Sequence, residues 1–131
     1  MNDLKYHYLK WIWRVCFAAL LMATTGLGLL PVEGEVWFPG QDKVMHAATY
    51  TALYIVGWFS FPRQGFRLLF IGLLGFGIVI EVLQYFTAYR SLEFYDVVAN
   101  SLGLTLGCLG IVVCRRFVPG LVLGLGGAQE R

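Results

Sequence analysis

Three stretches of the chain hold polar residues at helical spacing inside otherwise apolar sequence. Asp42, His46 and Tyr50 stand at i, i+4 and i+8, Glu81 and Gln84 at i and i+3, and Asp96 and Asn100 at i and i+4. On a helix each set forms one stripe. A carboxylate or imidazole held in such a stripe can move a proton, which makes Glu81, His46 and Asp96 the candidate catalytic groups. Lys43 and Arg90 have the charge to hold an anionic headgroup, while Asp42, Tyr50, Gln84 and Asn100 would bind and orient the rest of a ligand. The set Asp42, His46, Glu81 and Asp96 also suits a divalent cation. Unconnected ligands spread over three segments do not make a metal motif, however, so no metal and no cofactor is assigned. Ser91 and Ser101 lie nearest to these stripes, and neither sits in a G-x-S-x-G turn; no nucleophilic Ser or Cys with an adjacent base is evident.

The segments that must position these residues are strongly apolar. Of 131 residues, 58% are hydrophobic and only 14% charged, about half the roughly 25% charged content of a soluble domain. The shortfall must face lipid, and the length leaves room for about four spans of about 20 residues each in one compact bundle. A net charge of +2 is too small to argue for nucleic acid. Cys16, Cys108 and Cys114 sit inside apolar runs without metal-ligand spacing and read as small buried hydrophobes.

The punctuation predicts an all-α membrane protein of four transmembrane helices, over about 11–30, 42–61, 66–86 and 97–114. Lys5, Lys10 and Arg14 precede the first apolar run, as in a signal peptide, but the run is longer than a signal core and no A-x-A cleavage pattern follows. Trp11 and Trp13 beside those cations suit a helix end at the membrane interface. Pro31 stops helix 1, and the loop to Gln41, with Glu33, Glu35, Trp37 and Phe38, should lie against the interface. Pro62, Arg63 and Gln64 make the next turn, Arg115 and Arg116 close helix 4, and the glycine-rich tail after Pro119 is expected to be irregular.

Lys and Arg near helix ends are retained in the cytoplasm during insertion. With four spans, Lys5, Lys10, Arg14, Arg63, Arg67, Arg115, Arg116 and Arg131 share the side of both termini, against Lys43 and Arg90 on the other. Both termini are therefore expected in the cytoplasm of a cell (inner) membrane protein. The polar stripes would then collect at the outer end, within roughly 8 Å of the interface at 1.5 Å per residue. Gly103 and Gly107 continue the Asn100 stripe as a G-x-x-x-G pair that lets another helix approach. Gly72, Gly75 and Gly77 read as packing positions, because no strand precedes them and no Lys follows at the phosphate-loop offset.

Taken in order, D-K-x-x-H-x-x-x-Y from Asp42 to Tyr50, E-x-x-Q at Glu81 and Gln84, Arg90, and D-x-x-x-N-x-x-G-x-x-x-G from Asp96 to Gly107 resemble the VanZ-like family of small integral membrane proteins. The resemblance covers about Asp42 to Gly110. Tyr89 stands where the family often has Gly before the loop arginine. The family's namesake is linked to low-level teicoplanin resistance, so the resemblance implies a role at the cell envelope.

Structural explanations stand beside the functional ones. Asp42 and Asp96 would each cap a helix N-terminus. His46 and Asn100 would make interhelical hydrogen bonds, and Glu81 would pair with Arg90 or His46. Three classes follow. The cluster binds or modifies an envelope or lipid-linked anionic ligand, with membrane lipids and a lipid-linked or cell-wall substrate as partners; or the protein is a non-catalytic accessory whose polar residues hold the helices together. An ion or proton pathway ranks last, because helices 2 to 4 are apolar in their inner halves.

Overall fold

Proline and glycine mark three of the helix boundaries. Pro31 follows the first helix, Pro62 separates the second from the third, and Gly40 enters the second with φ 81°, a left-handed conformation that favours glycine. The computed structural model describes residues 3–31, 36–87 and 93–125, and among them there is no strand. The protein is all-α, with α1 Asp3–Leu29, α2 Gln41–Ser60, α3 Phe66–Tyr85, α4 Phe94–Phe117 and α5 Pro119–Gly124.

The second and third helices fall within a residue of their expected bounds, whereas the ends of α1 and α4 and the tail need correction, as do the cysteines: Cys16 is exposed and Cys108 and Cys114 are half-buried rather than buried, since an apolar run in a membrane helix also supplies its outward face. α1 begins at Asp3 rather than near Trp11, because nothing from Asp3 to Lys10 breaks a helix and hydrogen bonding continues past the end of the apolar run. For the same reason α4 begins at Phe94 and ends at Phe117, overrunning 97–114 at both ends. The tail after Pro119 is not irregular throughout: Pro119–Gly124 forms a short helix with Pro in its first turn and Val122 buried. The Trp13 indole N–H donates to the Leu125 carbonyl at 2.9 Å and ties this segment to α1.

α1, α3 and α4 are long and apolar enough to cross a membrane. α2 is 20 residues long but carries the Asp42, His46 and Tyr50 stripe, and it is not among that set. It lies at the centre of the bundle instead, with Leu53, Tyr54 and Trp58 buried against α1, α3 and α4. Its closest neighbour is α4. A Cβ on Gly103 would stand 2.2 Å from the Ala47 carbonyl oxygen, and one on Gly107 would stand 2.8 Å from the Tyr54 Cβ. The two helices thus touch through backbone, as small residues permit. The Thr51 hydroxyl lies 2.8 Å from the Ala47 carbonyl and 2.9 Å from that of Gly103, sharing its proton across the seam.

The long helices alternate in direction, which sorts their ends into two groups. At one end the Ser60 hydroxyl donates to the Trp13 carbonyl at 2.8 Å, Arg14 stacks over Phe61, and Arg115 lies 5.8 Å from the centres of both the Trp58 and Phe66 rings. The start of α2, the end of α3 and the start of α4 meet at the opposite end, and the polar stripes meet there.

Candidate functional site

Helical spacing puts His46 one turn into α2, and α2 faces both α3 and α4. The His46 Nδ1 lies 3.0 Å from Asn100 Oδ1 and 3.9 Å from Glu81 Oε1, and its Nε2 lies 3.8 Å from Asp96 Oδ2. One imidazole therefore meets residues of both other stripes. Glu81, Gln84, Asp96 and Asn100 are all buried, Glu81 at 2% exposure. Gly77 makes the space beneath them: a Cβ there would come 2.8 Å from the Tyr50 hydroxyl and 3.0 Å from Asn100 Nδ2. Gly72 and Gly75 have nothing within 4 Å of an added Cβ, so of the three glycines only Gly77 is a close-packing position.

Neither Asp42 nor Asp96 caps a helix. The residues at the cap positions are Gly40 and Glu93, no side-chain capping bond is made at either, and both aspartates sit in the first turn. They turn instead to Lys43, whose Nζ lies 2.6 Å from Asp42 Oδ2 and 2.6 Å from Asp96 Oδ1, with Glu93 as a third carboxylate partner. The ammonium expected to meet an anionic ligand is thus already surrounded by three carboxylates. Asp96 is shared, one oxygen facing Lys43 and the other His46. Glu93 was not anticipated in the cluster, although it precedes Asp96 by three residues and so belongs to the same stripe. Arg90, the other expected cation, lies outside the described residues.

Beside this cluster is a cavity of about 390 Å³ between α1, α2 and α3, within the roughly 300–1,000 Å³ typical of ligand sites. Its floor is polar, formed by half-buried His46 and buried Tyr50, Glu81 and Gln84, and its walls are lined by Leu27, Val36, Met45 and Ile80. Leu27, Val36 and Met45 are exposed, which places the opening at their side. α1 contributes what no polar pattern announced: the Gln84 amide donates to the Gly28 carbonyl at 2.7 Å, and Thr24, Leu27 and Gly28 form one wall. A backbone acceptor has no signature in residue type.

The arrangement can accept a polar group of modest size on a floor of hydrogen-bonding and proton-exchanging side chains while its apolar remainder lies along the walls. Among the described residues the acidic groups dominate, with Asp42, Glu81, Glu93 and Asp96 gathered around Lys43 and His46.

An uncharacterized protein of Schizosaccharomyces pombe is 33% identical over 98 residues, 71% of this chain. The aligned part spans 58% of that relative's own length. No solved structure matches the chain. The family model described as VanZ/LLP1 matches residues 3–115, well beyond the stretch from Asp42 to Gly110 that carried the resemblance, and the chain belongs to the VanZ/LLP1 family.

Proposed function

We propose that the protein is a multi-pass membrane protein whose outer cavity receives the polar head of an envelope or membrane amphiphile. The observation that carries this reading is the cavity itself: a polar floor of half-buried His46 and buried Tyr50, Glu81 and Gln84 beside the exposed apolar side chains of Leu27, Val36 and Met45. A free small polar metabolite gains nothing from such walls, whereas a lipid or lipid-linked molecule matches both parts. Because Lys43 is engaged by Asp42, Glu93 and Asp96, an anionic head would need a positive partner other than that ammonium. Chemistry on the bound head, with His46 or Glu81 moving a proton, is compatible with the same geometry.

The test uses the purified protein in lipid nanodiscs and native mass spectrometry of what it retains on release. Thr49→Trp, on the cavity wall, should cut retained lipid at least tenfold without lowering the unfolding temperature. Equal retention by Thr49→Trp and the wild type would remove the cavity as the binding place.

In this reading α2 crosses the membrane as a fourth span, which places the cavity and Arg90 outside and both termini in the cytoplasm, as eight of the ten Lys and Arg residues require. A C-terminal alkaline phosphatase fusion should be inactive, and a fusion between α3 and α4 active. An active C-terminal fusion would invert the topology and turn the cavity inward.

A second reading has its own support. The His46 to Asn100 and Gln84 to Gly28 contacts each join two helices, so the polar residues also hold the bundle together.

A further inference from the structure

We propose that His46, Glu81 and Asp96 form a binding site for one divalent transition-metal cation, with an open coordination position facing the cavity. One ligand atom from each of the three lies within 4.8 Å of the others, and they come from three different helices, α2, α3 and α4. Protein ligands at about 2.0–2.2 Å from a tetrahedral metal are about 3.5 Å apart. The Nε2 of His46 and Asp96 Oδ2, 3.8 Å apart, need only small rotations to close on an ion, whereas Glu81, whose Oε1 lies 3.9 Å from the other ring nitrogen, would have to turn toward Nε2.

The hydrogen bonding around the imidazole points the same way. With Nδ1 donating to Asn100 Oδ1 at 3.0 Å, the neutral ring carries its lone pair on Nε2, and that lone pair faces Asp96 Oδ2 at 3.8 Å. In that tautomer Nε2 and the carboxylate oxygen are both acceptors, and either a proton or a metal cation between them relieves their repulsion. Anchoring one ring N–H on an oxygen while the other nitrogen is presented to the site is the usual outer shell of a metal-binding histidine. Lys43 has the matching role for the carboxylate, since it holds Asp96 Oδ1 at 2.6 Å and leaves Oδ2 turned toward His46. It also separates this triangle from the neighbouring one. Asp42, Glu93 and Asp96 form a second close group, but the Lys43 ammonium sits among all three, so that position already has its cation.

One imidazole and two carboxylates form a mixed nitrogen and oxygen set that suits Zn²⁺ or Mn²⁺ rather than a soft ion. Three protein ligands leave a fourth position for water or a ligand atom, as in catalytic rather than structural zinc sites. His46 and Glu81 both line the cavity, so that position opens into it. A bound cation would reverse the acidic character of the floor and supply the positive partner that a phosphate or other anionic head requires. This last consequence rests on the amphiphile reading, whereas metal binding does not.

The experiment uses the full chain in detergent with Cys16, Cys108 and Cys114 replaced by alanine, so that no thiol can ligate. After EDTA treatment and desalting, Zn²⁺ and Mn²⁺ are titrated without added lipid and bound metal is counted by mass spectrometry. About one equivalent per chain is expected, with affinity at least tenfold weaker in His46→Ala and in Glu81→Gln. Co²⁺ provides a readout that needs no variant: visible d–d bands of a nitrogen and oxygen site in place of the aqueous ion's spectrum. Metal at the level of the detergent blank, an unchanged Co²⁺ spectrum, or equal binding by folded His46→Ala would overturn the site. Metal binding together with lipid retention unaffected by Thr49→Trp would keep this site while removing the amphiphile reading.

Discussion

Gly103→Ala should fail to accumulate as folded protein. The added Cβ would stand 2.2 Å from the Ala47 oxygen, 2.9 Å from its carbonyl carbon and 3.0 Å from its Cα. All three are backbone atoms, so no rotamer change relieves the overlap, and α2 and α4 must separate along their shared seam. Overpacking a tight interior costs about 1–3 kcal/mol and occasionally more. Here the separation also weakens the Thr51 bond to Gly103, the His46 bond to Asn100 and the Lys43 pairing with Asp96. A loss of at least 3 kcal/mol is therefore the expectation, at or beyond the upper end of that range. Gly110→Ala is the matched control, because an added Cβ there meets nothing within 4 Å; it should change stability by no more than about 0.5 kcal/mol. The measurements are abundance in membranes and thermal unfolding in detergent. Normal abundance and unfolding of Gly103→Ala would mean that the two helices do not meet at this glycine.

Glu81→Gln should do the opposite, leaving the protein at normal or raised abundance while its function is lost. An ionised group within a helix that crosses a membrane costs about 3 kcal/mol on insertion scales, and Gln removes that cost while keeping the size of the side chain. If Glu81 served only to hold helices, Gln would hydrogen-bond across the bundle nearly as well, at about 1 kcal/mol per contact. A functional carboxylate has no such substitute. Losing a charged hydrogen bond to a ligand costs about 1.5–3 kcal/mol, which corresponds to roughly ten- to a hundredfold weaker lipid retention. The same variant should fail to complement an envelope-stress or glycopeptide-sensitivity phenotype in a deletion strain. Full complementation at wild-type levels would defeat the charge-dependent readings and leave Glu81 a structural residue beside His46.

Local physics made the framework legible in the chain alone. The apolar runs and their proline and glycine boundaries placed α2 and α3 within a residue, because the period of a helix and the missing N–H of proline act over a few residues only. The same reasoning stopped α1 and α4 too early, since it ended each helix where the apolar run ended, whereas backbone hydrogen bonding continued to Asp3 and Phe117. Equal depth and shared stripes were enough to expect that His46, Glu81 and Asn100 meet, and the Gly103 and Gly107 pair was enough to expect a close helix contact.

What the tertiary structure alone decided is how each polar group is used. Asp42 and Asp96 have the residue type of helix caps, yet they sit within the first turns of α2 and α4 and pair with Lys43, to which Glu93 at the start of α4 brings a third carboxylate. Lys43 is in consequence held within the cluster. Gln84 finds its partner in the backbone of α1, and the cavity exists only where α1 leans on α2 and α3. Periodicity reports which face of a helix is polar. The partner across the gap depends on distances of a few ångströms between helices distant in sequence, and on carbonyl groups that every residue carries alike.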